Sequence, residues 1–496
     1  MKKILVLLTA SILAVSVLGS CADKNNSRSS SSNVDSSSEI VKEPEFEPDQ
    51  TELHQPETPL PDLTAVKSEY DSNKAEISEA LNKIASEKTA PCISITTEGE
   101  AEILSKDNYT AAVIDVFNCD AQYELSAEGG VKVRGNSSAD QGDEKPYRIK
   151  FAEKHNMLGL HNGNEYKSWV LLRSYWNLGT DYTALNLAKA IFEGKYYCSD
   201  CKYVNLYING DYKGIYVLCE QNQAAKDRVS VNEPDAENTD YKIGYLLEID
   251  NYPGDDHPFF SYDYEQADIE DISGEKRQFV SAEYTLKSDL NVKGQLDFAE
   301  KYTTGAFKIL YEACINDKAL KFDSTYEMVD ADDMSPQEAV EAVIDTESLA
   351  NMLILEELVH NYDVGEGSFY MAFDLSEESI YPKLTFLAPW DFNWSYEGSP
   401  SGGYYAATFQ PEVGSQDRSN PWFITAMKAD WFKDTVKAKW AALKESDALK
   451  NACKNVLDDA SSLANDLGED EWKIDKVYEI INFVYGRIDF LDGEWS

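Results

Sequence analysis

Basic residues are scarce in this chain. Its 45 Lys and Arg face 89 Asp and Glu, a net charge of -44 over 496 residues. A surface so acidic repels phosphate backbones and anionic lipid headgroups, which argues against nucleic acid or a lipid surface as a partner. It is compatible with a basic protein substrate and with the solubility of an exported protein. Histidine is rarer still, and His54, His155, His161, His257 and His360 show no metal-ligand spacing. With Cys21 set aside, the remaining cysteines (Cys92, Cys119, Cys198, Cys201, Cys219, Cys314 and Cys453) are odd in number, so they form no disulfide framework. Cys198-Ser199-Asp200-Cys201 is a lone C-x-x-C with no second pair, poor for zinc and better read as a local disulfide or two free thiols. No Gly-x-x-x-x-Gly-Lys-Ser/Thr loop, Gly-x-Gly-x-x-Gly turn, His-Arg-Asp, Asp-Phe-Gly or Gly-x-Ser-x-Gly elbow occurs. These gaps exclude a P-loop enzyme, an ordinary protein kinase and a serine hydrolase of the common type.

Long apolar runs are also missing. The longest, Ile4 to Leu18, is too short to span a membrane stably, and it follows Lys2-Lys3. A charged start, a short apolar segment and small residues before Cys21 describe an export signal over 1–21. Leu18-Gly19-Ser20-Cys21 resembles a bacterial lipobox, which implies a lipid anchor at Cys21 on the outer face of the cell membrane, or else secretion. Residues 22 to about 62 are Ser/Asn-rich, then Glu/Pro-rich, and predict a flexible stalk. A polar helix over 63–88 completes a linker segment, 22–90.

What is plentiful is a globular body from Pro91 on, in a chain that is 43% apolar and 12% aromatic. Residues 91–290 predict a β-rich lobe. Val131-Lys132-Val133-Arg134 and Tyr147-Arg148-Ile149-Lys150-Phe151 alternate at period two. Tyr203–Ile208, Asn209-Gly210 and Tyr212–Glu220 form a hairpin, because both turn residues tolerate positive φ. Ala184, Leu187, Ala188 and Ile191 mark one helix stopped near Gly194. Residues 291–496 predict a mostly helical lobe, with helices over 293–317, 345–360, 422–444, 447–466 and 472–491. The fold class is thus α+β.

Two features can carry chemistry. Pairing of the two alternating strands puts Lys132, Arg134, Arg148 and Lys150 on one face, a local anion site with the loop Gly135-Asn136-Ser137-Ser138, or else solvated outer positions. Asp363 follows a long apolar helix, and Asp391 follows the strand-like run Lys383–Leu387. Two such carboxylates in one cleft suit phosphoryl transfer, one orienting the attacking hydroxyl and one holding magnesium with help from Asn393. Turn capping and a glycosidase acid pair beside Trp390 and Trp394 are the alternatives.

Five separated phrases resemble the CotH (spore coat protein H) kinase family. They are Arg134-Gly135-Asn136-Ser137-Ser138, Lys145-Pro146-Tyr147-Arg148-Ile149-Lys150, Leu206 through Tyr216, Asn361-Tyr362-Asp363 and Pro389-Trp390-Asp391-Phe392-Asn393. The resemblance implies an atypical protein-kinase-like fold of two lobes that uses ATP and Mg2+ or Mn2+ to phosphorylate Ser or Thr of an envelope or extracellular protein. It implies Asp363 as the catalytic Asp and Asp391, with Asn393, as the metal site. It implies nucleotide contacts from Arg134, Asn136, Ser137 and either Arg148 or Lys150, with Glu220 at the nucleotide edge. Many members carry Asp where this chain has Asn393, and Arg-Asn where it has Leu185-Asn186. Those departures keep open a non-catalytic cell-surface adhesin or scaffold on the same fold.

Overall fold

A computed structural model describes residues 46–53, 58–135, 139, 145–173, 177–250, 257–264, 269–411, 418–468 and 471–496. Helix α1 (Thr64–Glu87) precedes seven strands: β1 (Cys92–Thr97), β2 (Thr110–Phe117), β3 (Leu125–Val133), β4 (Tyr147–His155), β5 (Tyr166–Leu172), β6 (Cys201–Ile208) and β7 (Asp211–Glu220). They close into a barrel in the order β1-β2-β3-β4-β5-β7-β6. All pairs are antiparallel except β1 with β6, the parallel pair that seals the barrel. The alternation in β3 and β4 sorts as the sequence predicts, with Val131, Val133, Tyr147, Ile149 and Phe151 buried in the barrel core. The β6–β7 hairpin turns at Asn209 and Gly210, with φ of 51° and 82°, the left-handed pair that a two-residue turn demands.

Helix α2 (Thr180–Phe192) interrupts the barrel strands and buries Ala184, Leu187, Ala188 and Ile191. It ends on two left-handed residues, Glu193 and Gly194. A five-stranded sheet follows, built from β8 (Gly244–Ile249), β9 (Phe259–Tyr262), β12 (Ala282–Leu286), β15 (Phe369–Asp374) and β16 (Thr385–Phe386), in the order β16-β15-β8-β12-β9. Two short ribbons, β10 (Ile269–Glu270) with β11 (Lys276–Arg277) and β13 (Leu320–Phe322) with β14 (Met328–Asp330), complete the strands described. The remaining helices are α3 (Lys293–Asn316), α4 (Pro336–Val343), α5 (Thr346–Val359), α6 (Pro421–Ala426), α7 (Asp430–Glu445), α8 (Ala448–Ser462), α9 (Ala464–Leu467) and α10 (Trp472–Trp495). Mixed helix and strand content therefore bears out the α+β class.

Three expectations need correction. The boundary placed at residue 290 cuts through the five-stranded sheet, because β15 of the later segment pairs with β8 of the earlier one and carries β16 on its other edge. Strand pairing is long-range, so composition along the chain does not reveal it. The span 422–444 is two helices, with Met427 to Ala429 between α6 and α7. The stalk expected to run to residue 62 is, among the described residues, packed from Phe46 onward. Phe46 stacks edge-on against Tyr241 and Phe298, each 5.2 Å between ring centroids. No helix among the described residues is long and apolar enough to cross a membrane. The seven cysteines from Cys92 to Cys453 are free thiols, and burial pushes the Cys198 thiol up to about 12.

Candidate active site

Helix α5 sets the first half of the site. Asp345 caps it, its carboxylate accepting the Ser348 N–H at 3.0 Å. From Ser348 to Val359 every residue is buried, so the helix is a fixed strut. His360 ends it in the left-handed region at φ 50° and reverses the chain into Asn361-Tyr362-Asp363. The carbonyl of Asp363 accepts the N–H of Glu366 (2.9 Å) and of Gly367 (3.0 Å), which makes a closed turn. The Asp363 carboxylate is ion-paired with Arg418.

Strand β16 leads into the second half. The chain turns at Ala388 (φ 55°), whose N–H donates to the Tyr197 carbonyl at 2.8 Å, and again at Asp391 (φ 59°). Left-handed backbone at a residue other than glycine costs of order 1 kcal/mol and aims the side chain where an extended residue would not. The two halves are joined directly. The Tyr362 N–H donates to the Trp394 carbonyl at 3.1 Å, and the Tyr396 N–H to the Val359 carbonyl at 2.6 Å. The loops carrying Asp363 and Asp391 thus lie edge to edge.

Helix α2 supplies a third acid. The buried Asp181 carboxylate accepts the Phe392 N–H at 3.0 Å, which pins the Asp391 loop to the first turn of α2. Burial, then the charge of Asp391, raises the Asp181 carboxyl to about 7, against a smaller pull downward from Arg134. A narrow cleft here is lined by Arg134, Gly135, Pro146, Leu172, Arg173, Asp181, Trp390, Asp391 and Asn393. Its free volume is about 10 Å³, room for little more than one water. The Arg134 guanidinium lies 5.3 Å from the Trp390 ring. Arg173 reaches in beside Gly214, where a Cβ would stand 2.9 Å from its Nη2. Gly214 also has φ 101°, a backbone conformation that favours glycine.

The sequence-predicted residues divide. Arg134, Asp391 and Asn393 meet in the cleft, and Asp363 sits on the adjoining loop. Lys150 does not join them: its ammonium points to the Thr58 carbonyl (3.4 Å) and toward the Tyr109 ring (6.0 Å). Arg148 shares that outer face of the barrel, paired in register with Lys132 and Val170. Glu220 is enclosed rather than open at a nucleotide edge. Its carboxylate binds His161 Nδ1 (2.8 Å), Arg228 Nε (3.3 Å) and the Asp200 N–H (3.1 Å). Asn136 and Ser137 lie outside the described residues. Asp181, Arg173 and Arg418 went unpredicted. Asp181 looks like any acid in the first turn of a helix, and Arg418 is an isolated cation before the Asn420-Pro421 helix start.

Whether this donor set suits magnesium is decided by its chemistry. Among the described residues no three His, Cys, Asp or Glu gather as a metal cage. Asn393 spends its Nδ2 on Asp391 Oδ1 (2.8 Å). Two neighbouring carboxylates of Asp391 and Asp181 remain, all hard oxygen. Magnesium is held by one or two carboxylates and shared with substrate phosphates rather than caged, so the residues present fit it.

A family model described as CotH kinase protein matches residues 131–488, most of the chain and all of this site. No curated protein matches it.

Proposed function

The chain belongs to the CotH kinase family, and we propose that it transfers the γ-phosphoryl group of ATP to a Ser or Thr hydroxyl of a protein. The observation that carries this is the edge-to-edge joining of the Asp363 and Asp391 loops beside a cleft holding two arginines and a second carboxylate. Arg134 and Arg173 supply forked cations suited to phosphate oxygens. Asp391, with Asp181, would hold the metal, which when bound supplies neutralising charge on the phosphates. Asp363 orients the acceptor hydroxyl and takes its proton as the oxygen bonds to phosphorus and the bond to the β-phosphate oxygen breaks. The cleft as it stands does not admit a triphosphate, so nucleotide entry requires the barrel and the Asp391 loop to separate. Export and a lipid anchor at Cys21 belong to the same proposal and put the protein substrate outside the cell.

The test is a thermal-shift titration with ATP, with and without Mg2+ or Mn2+, on the wild type and on Asp391→Asn. Asn tolerates left-handed backbone, so the variant keeps its fold while losing the charge. At 100-fold its dissociation constant, ATP stabilises by about 2.7 kcal/mol. The wild type is expected to show that shift only with metal, and D391N to show none. A wild type indifferent to ATP under every condition would refute the proposal and leave a surface-binding protein on this fold.

A further inference from the structure

We propose that Arg418 is the positioning residue for Asp363, holding its carboxylate in the orientation that phosphoryl transfer needs; this rests on the kinase function proposed above. The chain carries few arginines, yet this one is almost enclosed, with 14% of its side chain exposed. One arm of its fork pairs with Asp363, and its Nε lies 2.9 Å from Glu366 Oε2 on the same turn. Its guanidinium also covers the face of Tyr362, 4.1 Å from the ring centroid. Three residues of one short loop therefore converge on a single side chain from outside it. A planar guanidinium lies flat on a ring while it directs its N–H groups at acids in its own plane, a fixed geometry that an ammonium on a flexible stem does not impose.

The backbone that presents Arg418 is locked to the same loop. Asn420 donates through Nδ2 to the Val364 carbonyl at 2.8 Å. Gly365 lies so close to the following segment that a Cβ would stand 2.3 Å from the Ser419 carbonyl oxygen and 2.5 Å from that of Arg418. Asp363 reaches its place only as part of this interlock. A freely rotating aspartate after a helix would sample several rotamers, and misplacing a catalytic group by about 1 Å costs on the order of 100-fold in rate. Arg418 acts through Asp363 and not on the phosphates.

The experiment measures kcat and KM for ATP in phosphate transfer from labelled ATP to the protein itself and to casein, for wild type, Arg418→Gln and Arg418→Lys. R418Q is expected to lose roughly 100-fold in kcat, with KM for ATP changed less than about threefold, since Arg134 and Arg173 are untouched. R418K, which keeps a charge beside Asp363 without the fork, is expected to fall between the two. Should R418Q fail to fold, R418K against wild type reads the same split. A kcat for R418Q within about threefold of wild type overturns the inference. So does a loss in which KM and the thermal midpoint worsen in step with kcat, which marks a merely structural contact. A wild type that neither binds ATP nor transfers phosphate fails before any variant is made, and it refutes the kinase function together with this role.

Discussion

Glu356 lies one turn before the end of α5, 3% exposed. Burial pushes its carboxyl up to about 8, aided by the neighbouring Glu357 and opposed by a hydrogen bond from Asn361. The folded protein therefore holds this proton while the unfolded chain releases it near 4.5. Its contribution to stability is complete below 4.5 and lost as pH rises through about 8. Asp181, raised to about 7, acts with the same sign. His360 runs the other way. Burial and Arg487 lower it to about 3, so its contribution is present above 6.5 and lost as pH falls toward 3. The decline on the alkaline side thus comes from the raised groups, these carboxyls together with His161, whose imidazole the hydrogen bond with Glu220 holds above its ordinary value. Glu356→Gln, neutral at every pH, is expected to flatten part of the fall in thermal midpoint between pH 5 and 9. Equal slopes for variant and wild type would show that Glu356 is ionised in the fold.

At the scale of the element, the short helix α6 matters more than its length suggests. Asn420 caps it by accepting the Trp422 and Phe423 N–H groups at 3.0 and 3.2 Å, and donates across to Val364. Removing both functions with Asn420→Ala is expected to cost about 1 kcal/mol for the cap and a further 1–3 kcal/mol for the buried Val364 carbonyl left unpaired. Asn420→Asp keeps the acceptor and loses only the donor, so it should cost less. Denaturant unfolding of the two variants measures the difference, which is the cap, and equal losses would mean that the cap contributes nothing. Helix α10 ties the same region from the other side. Arg487, wholly buried, pairs with Glu357 at 2.8 Å and donates to the carbonyls of Pro400 and Gly403. Glu357 in turn accepts the N–H groups of Tyr405 and Ala407. The loop beyond Asp391 is thereby anchored to the strut that positions Asp363.

Across the whole molecule, the segment before α1 works as a strap. Its described pieces touch both ends of the body. Asp49 and Thr51 carbonyls accept the Gly294 and Lys293 N–H groups at the start of α3, while Leu60 lies against Gly130 of the barrel. A Cβ on Gly294 would meet the Asp49 nitrogen at 2.3 Å, so the strap lies flush on α3 because that residue has no side chain. Thr58 and Tyr109 cover the side of the barrel where Lys132 and Lys150 lie, which removes those cations from the cleft. Phe46→Ala is expected to lose about 2 kcal/mol from half-buried aromatic area and edge-on ring contacts. It should also speed proteolytic cleavage within residues 46–62. Unchanged cleavage would show that Phe46 does not hold the strap.

Local pattern was enough for much of this protein. Period-two alternation sorted β3 and β4, Asn209-Gly210 announced its hairpin, and apolar character nearly all round marked α5 as buried, since each depends on neighbours within a few residues. The phrases around Asp363 and Asp391 were legible for the same reason, being short and chemically distinctive. Tertiary structure alone decided which cations line the cleft. Alternation tells which face of a strand leaves the core, but not what covers that face. Hence Lys150 went to the strap and Glu220 to a closed ion pair, while Asp181, Arg173 and Arg418 arrived from distant segments. Their roles arise from long-range pairing and packing, which leave no periodic trace in the chain.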